Sequence, residues 1–448
     1  MTRSGMPATS PAAARDADIP DVLGLLEQPG CVLCRTCEDA TRTWTRWFSM
    51  ENNNDPVLLD TLERSVGFCP AHTRRLLTET SARILRSALA SALSGAIRRA
   101  EQAATRLGRD KPRRLHRATV PVPCPLCRVT AERVRAAACD LAAYLDRPQV
   151  AAAIRDRGGL CFRHLRHLLP QLSSSQAISV ADAVASRLSA LPAGTPESRF
   201  LLAGHDPDAL ARIPYLEAHA LTLDQEPGGS LGRTFQDAPS PGGWLITDLA
   251  GGSCPICRAA GREQIRYLLW LGRRGPERGP AATDLRVCPR HLHDTQSAPS
   301  TSALALSSSA AAAQEQALGL AAGATATNAS QPCRACHAGL DAERRQLSLL
   351  RASLLDARVL RALEDAHGLC LRHAGEVAED RDAGPVISRL LTQLRQVQWE
   401  LAEDAAKHAW DRRHEPRGAE RDAWRRVPAL IDGEVYLGAA ARSSNPMA

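Results

Sequence analysis

Apolar residues recur along this chain at helical spacing, and similar blocks return several times. Cys37, Ala40, Trp44, Trp47 and Phe48 fall at i, i+3, i+7, i+10 and i+11, which places them on one helix face. Ala131, Val134, Ala138, Leu141, Ala142 and Leu145 repeat that face, and Leu340, Leu347, Leu350 and Leu354 give a third version. A second, shorter helix is predicted behind each. Its apolar pairs are Leu58 and Leu62, Val150 and Ile154, and Val359 and Leu363. Pro56 and Pro148 suit the first turn of this helix. Gly67, Gly159 and Gly368 read as left-handed residues that end it, with Phe68, Leu160 and Leu369 as the apolar contact that follows. Longer helices are predicted next, over His72–Leu107 and Pro385–Trp410. The pattern predicts an all-α protein.

The helices are punctuated by cysteine and histidine. Four times a CxxC is followed, after 34, 33, 30 and 33 residues, by a CxxH. The copies are Cys31, Cys34, Cys69 and His72; Cys124, Cys127, Cys161 and His164; Cys254, Cys257, Cys288 and His291; and Cys333, Cys336, Cys370 and His373. Twelve of the 14 cysteines belong to them. Three thiolates and one imidazole make a tetrahedral donor set suited to Zn²⁺. The expected architecture is four helical repeat units, each stapled by its own Cys₃His site and together holding about four Zn²⁺. In each, the CxxC would sit on a tight knuckle and the CxxH on the first turn of a helix.

These motifs divide the chain. We expect a disordered N-terminus over 1–22, unit 1 over 23–112, unit 2 over 113–196, a connector with a short helical stretch over 197–245, unit 3 over 246–330, unit 4 over 331–411 and a tail over 412–448. Trp424–Ile431 offers a last short element that could dock. Unit 3 is the divergent copy. Gly272–Pro280 replaces its second helix, Arg286 replaces the glycine, and the Ser- and Ala-rich stretch Pro299–Thr327 follows.

Cys37 extends the first CxxC by one more step. The repeat register, with Arg35, Arg128 and Arg258 each following the second cysteine, makes Cys37 a spare thiol on a helix face. Cys139 reads as a small helix residue, and His167, His293, His337 and His367 as surface residues or neighbours of the ligands. The rival metal reading is one iron–sulfur cluster in unit 1, on Cys31, Cys34, Cys37 and Cys69. Zinc-bound thiolates could also serve in redox sensing, with Arg163, Arg290 and Arg372 beside the ligand histidines. The haem-attachment string at Cys333–His337 is already accounted for by the repeat.

Composition changes the picture in three places. Aromatic residues make up only 4% of the chain, so its cores must be built from Ala, Leu and Val, and metal would offset their small buried area. The net charge of +7 is modest, and nearly all of the base is arginine, which reads as codon bias more than as a nucleic-acid footprint. The first 29 residues lack a basic start followed by an apolar run, and no apolar run of membrane-spanning length occurs. A cytoplasmic, reducing compartment is therefore expected, where paired cysteines read as ligands before disulfides.

The first unit resembles a group of bacterial helical proteins built from CPxC…GxCxxH repeats. The matching residues are Cys31-Val-Leu-Cys34-Arg35, Glu51-Asn-Asn-Asn-Asp55-Pro56 and Gly67-Phe68-Cys69-Pro-Ala-His72, with Val32 standing where proline is typical. The resemblance covers the repeats and carries no activity with it.

No phosphate-binding glycine loop, nucleophile elbow or HExxH is present, and no small-molecule substrate or membrane role is indicated. A non-enzymatic scaffold or adaptor for a protein partner is the favoured function. The alternatives are a nucleic-acid-binding regulator, using the basic stretches Arg109–Arg117 and Arg412–Arg426, and a redox protein centred on unit 1.

Overall fold

The computed structural model describes residues 19–107, 122–157, 159–191, 195–205, 253–273, 287–288, 291–292, 309, 311, 315, 319 and 333–433. Among these residues there is helix and no strand. The helices are α1 (Ile19–Glu27), α2 (Val32–Trp47), α3 (Pro56–Ser65), α4 (Pro70–Glu79), α5 (Ala82–Leu107), α6 (Pro125–Tyr144), α7 (Pro148–Arg157), α8 (Phe162–Leu168), α9 (Ser174–Ala190) and α10 (Pro196–Ala203). They continue as α11 (Pro255–Arg273), α12 (Arg334–Ala352), α13 (Ala357–Asp365), α14 (Leu371–Val377), α15 (Gly384–Ala406) and α16 (Ala423–Ile431). None of the described helices is long and apolar enough to cross a membrane.

The chain forms two compact units, each drawn from separated segments. Residues 1–42, 129–209 and 268–334 make the first, and 43–128, 210–267 and 335–448 the second.

In the first unit α7 packs against α1 and α9, and α10 packs on α8 and α9. Leu26, Leu33, Ile154, Leu160, Leu165 and Leu168 are fully buried between them. Each such leucine or isoleucine contributes about 1.5–3 kcal/mol relative to exposure. A capping box of Ser173 and Gln176 starts α9, and Thr195 caps α10 with Pro196 at its first position. Arg35 ties down the end of α1 by donating to the carbonyls of Leu25, Gln28, Pro29 and Gly30.

In the second unit α5 is the central helix, packed by α3, α4, α14, α15 and α16. Its buried face is Leu85, Ala88, Leu89, Ala92, Leu93, Gly95, Ala96, Ala100 and Ala103. These small residues bury little area each but let neighbouring backbones approach. A Cβ at Gly95 would collide with the Glu63 carbonyl of α3. Helix α15 runs antiparallel to α5, linked by Arg86–Asp404 at 2.7 Å, Gln398–Ser94 at 3.3 Å and Arg395–Glu101 at 2.7 Å. Trp44, Phe48 and Phe68 form an aromatic cluster in this unit, with Trp44 and Phe48 stacked at 5.3 Å. The last element, α16, docks on α15, α5 and α14 and holds Arg426 against Glu400.

Some sequence expectations need correction. The helix predicted over His72–Leu107 is two helices, because Thr80 is extended between α4 and α5. Thr78, Thr80 and Ser81 crowd that point, and such residues favour helix ends over helix interiors. The helix predicted over Pro385–Trp410 stops at Ala406. Gly67 does take a left-handed φ of 92°, together with Val66. Gly368 also has a positive φ, but lies two residues past Ala366, where α13 already ends. At Gly159 a Cβ would sit 2.8 Å from Leu26 Cδ2, so α1 packs closely on this glycine. Arg286, Pro299 and the basic stretch Arg109–Arg117 lie outside the described residues.

Candidate metal centres

Seven of the eight ligand motifs, those that lie wholly within the described residues, are built the same way. In each, the first cysteine stands just before a helix and the fourth residue sits on that helix's first turn. This holds for Cys31 and α2, Cys69 and α4, Cys124 and α6, Cys161 and α8, Cys254 and α11, Cys333 and α12, and Cys370 and α14. The cysteine carbonyl accepts the first helical bond, as in Arg35 N to Cys31 O at 3.1 Å and Thr73 N to Cys69 O at 2.8 Å. The CxxC is thus a helix start, not the tight knuckle expected. One turn of helix places residues i and i+3 side by side, so CxxC and CxxH present their two ligands in the same manner. The partial positive charge of a helix N-terminus favours thiolate over thiol.

Four groups assemble, and all sixteen predicted ligands are in them. They are Cys31, Cys34, Cys161 and His164; Cys69, His72, Cys124 and Cys127; Cys254, Cys257, Cys370 and His373; and Cys288, His291, Cys333 and Cys336. Within each, the four donor atoms lie within 4.8 Å of one another.

The pairing corrects the sequence expectation. No CxxC meets the CxxH of its own copy. The motifs are nested instead: the first and fourth of each set of four form one group, and the second and third form the other. Helix lengths supply the reason. Helix α2 spans Val32–Trp47, and its 14 residues from Cys34 onward cover about 20 Å at 1.5 Å per residue. Even folded straight back, the 10 residues of α3 recover only about 15 Å before Cys69. Helices α6 and α7 show the same imbalance, with 20 and 10 residues, as do α12 and α13, with 19 and 9.

In every group the histidine turns Nδ1 toward the sulfurs. Its distances are 3.2, 3.4 and 3.6 Å to Cys34, Cys161 and Cys31 for His164. For His72 they are 3.3, 3.3 and 3.5 Å to Cys69, Cys127 and Cys124. For His373 they are 3.3, 3.3 and 3.4 Å to Cys257, Cys370 and Cys254. His291 lies 3.3 Å from both Cys288 and Cys333. A tetrahedron with metal–sulfur bonds of 2.3 Å has edges of about 3.8 Å between sulfurs and about 3.5 Å from sulfur to nitrogen. The Cys34–Cys161, Cys69–Cys127 and Cys257–Cys370 separations are 3.7, 3.5 and 3.8 Å. The groups therefore match one coordination sphere each.

Protonation argues for a cation in the same places. Hydrogen bonds from Cys127 and Cys69 pull the Cys124 thiol down to about 3, while Cys127 is pushed far up by its bonds to Cys124 and Cys69 and by burial. Cys161 is likewise pushed up by Cys31, Cys34 and burial. Like charges this close cannot all form alone, and a bound divalent cation removes that conflict.

The third group has an added partner that the sequence did not flag. His373 Nε2, on the ring edge away from the sulfurs, lies 3.5 Å from Glu343 Oε1, and Glu343 accepts from Arg372 at 2.6 Å. The His373 ring beside it, reinforced by the Arg372 charge, holds this carboxyl below its usual range. A carboxylate behind a ligand histidine fixes its tautomer and ring orientation. Glu343 lies on α12 among charged residues, so only its helical phase toward Leu347 and Leu350 could have singled it out.

Cys37, Cys139, His167, His337 and His367 belong to none of the four groups, and His293 lies outside the described residues. The set Cys31, Cys34, Cys37 and Cys69 is not assembled, since Cys31 and Cys34 are grouped with Cys161 while Cys69 is grouped with Cys124. Comparison with protein-family models, with curated proteins and with solved structures gives no match to this chain.

Proposed function

We propose that this protein binds four Zn²⁺ ions as structural staples and acts as a non-enzymatic scaffold or adaptor for a protein partner in a reducing compartment. The observation that carries the zinc reading is the one-sphere geometry of four Cys₃His groups, three of them at the meeting of two described helix starts. Three sulfurs and one nitrogen complete a tetrahedron, which leaves no position for a substrate or a reacting water. An iron–sulfur cluster distributes its cysteines over several irons, whereas these donors crowd around one point. The staple reading also suits the Ala-rich packing of α5, where side-chain burial alone stabilises little. Because each ion joins motifs far apart in sequence, metal would fix the tertiary arrangement and not just one loop. Rigid helical surfaces held this way suit partner binding.

The test is metal content per chain by mass spectrometry on anaerobically purified protein, with a visible spectrum beside it. Close to four zinc ions and no colour are expected. Iron with visible absorbance would overturn the reading.

A further inference from the structure

The four groups fall into two kinds. Two are outer groups, joining the first CxxC and last CxxH of each nested set: Cys31, Cys34, Cys161 and His164, and Cys254, Cys257, Cys370 and His373. All of these ligands are buried except Cys257, which is half-buried. The inner groups have half-buried Cys69, His72 and Cys127 in one, and half-buried Cys288 and Cys336 in the other.

Beside each outer group lies a glycine from a short helix that comes after the last CxxH. Gly204 follows α10 with φ 73°, and a Cβ there would stand 2.9 Å from Cys34 Sγ and 3.1 Å from Cys161 Sγ. The next amide, of His205, donates to Cys34 Sγ at 3.3 Å. Gly433 follows α16 with φ 72°, and a Cβ there would collide with Cys257 Sγ and stand 2.6 Å from Cys370 Sγ. Each glycine comes behind a buried apolar pair, Leu201 and Leu202 in one case and Leu430 and Ile431 in the other. The same ligand pair, from the second cysteine of a CxxC and the first of a CxxH, is covered both times. A positive φ and the absence of a side chain are both needed for backbone to lie on the sulfurs.

We propose that Gly204 and Gly433 are equivalent positioning residues that seal the outer metal sites, making these the slowly exchanging pair and leaving the inner sites as the exchangeable, thiol-reactive pair. The proposal rests on the zinc reading. Amide donation to a thiolate and exclusion of water both stabilise a metal–thiolate site from outside its ligand shell.

The experiment is iodoacetamide labelling of zinc-loaded full-length protein, with each cysteine's rate read by mass spectrometry and zinc release followed by a chromogenic chelator. In the wild type, Cys69, Cys127, Cys288 and Cys336 are expected to label before Cys34, Cys161, Cys257 and Cys370, with zinc leaving in two phases. Gly204→Ala should speed labelling of Cys34 and Cys161 by about 10- to 100-fold, leaving Cys288, Cys333, Cys257 and Cys370 at wild-type rates. Gly433→Ala should do the same to Cys257 and Cys370 and spare Cys69, Cys124 and Cys127. Uniform labelling in the wild type, or glycine variants that leave the adjacent cysteines protected, would overturn the proposal. General acceleration in a variant would show simple unfolding, and the wild-type order then decides alone. A wild type that takes up no zinc refutes the underlying reading, a result distinct from four zinc ions released at one rate.

Discussion

His164 Nδ1 lies 3.2 Å from Cys34 Sγ across 130 residues of chain. That contact joins the end of one sequence copy to the start of the copy before it, and it makes the candidate metal ligands long-range tertiary links.

The nested pairing has a direct test. Cys161→Ser should lose one zinc equivalent and speed alkylation of Cys31 and Cys34, while Cys69, Cys124 and Cys127 keep their wild-type labelling rates. Pairing within each sequence copy predicts the opposite set. Mass mapping of labelled cysteines separates the two outcomes. Cys37→Ser, at a residue that belongs to none of the four groups, should keep four equivalents.

Much of this site was legible in the sequence, and the part that was not has a physical cause. All sixteen grouped residues could be named because CxxC and CxxH have fixed local geometry, set by a single helical turn. Their pairing could not, because near-equal spacings leave the choice of partner to the tertiary path of helices such as α2 and α3. Gly67, Gly159 and Gly368 looked equivalent by position, yet the close approach of Leu26 to Gly159 could not be read from that spacing. Gly204 and Gly433 lie outside the Cys/His frame, so its spacing did not point to them. The shared order of two large apolar residues, one spacer and glycine was the available signal.

Removing metal should cost far more than a local loop. Structural zinc contributes about 10–16 kcal/mol apparent free energy in small zinc modules, comparable with the whole stability of an ordinary domain, about 5–15 kcal/mol. Chelation under reducing conditions should therefore abolish much of the helical circular dichroism, with recovery on adding Zn²⁺. A helical signal unchanged after complete zinc removal would show that the sites are not staples.

The close packing of α3 on α5 makes Gly95 a sensitive position. A Cβ there would meet the Glu63 carbonyl, a backbone atom that cannot swing aside. Gly95→Ala should destabilise the second unit by about 1–3 kcal/mol, the usual range for overpacking, despite alanine's higher helix propensity. At Gly384, the start of α15, an added methyl would meet nothing within 4 Å, so Gly384→Ala should be neutral or stabilising. Denaturant unfolding of both variants checks the contrast.

Glu343 should matter through His373 and not through surface charge. The carboxylate faces His373 Nε2 at 3.5 Å while Nδ1 faces three sulfurs. Glu343→Ala leaves that ring edge without the carboxylate that faces it and removes the partner of Arg372. Zinc affinity at this one group should fall by about 10- to 100-fold, the usual effect of losing such a partner. Glu343→Gln keeps an acceptor oxygen and should lose less. Competition with a chelator, read together with labelling of Cys254, Cys257 and Cys370, tests both variants. Equal losses in Ala and Gln would mean that the negative charge matters and the orienting bond does not. Unchanged release in both would remove Glu343 from the site.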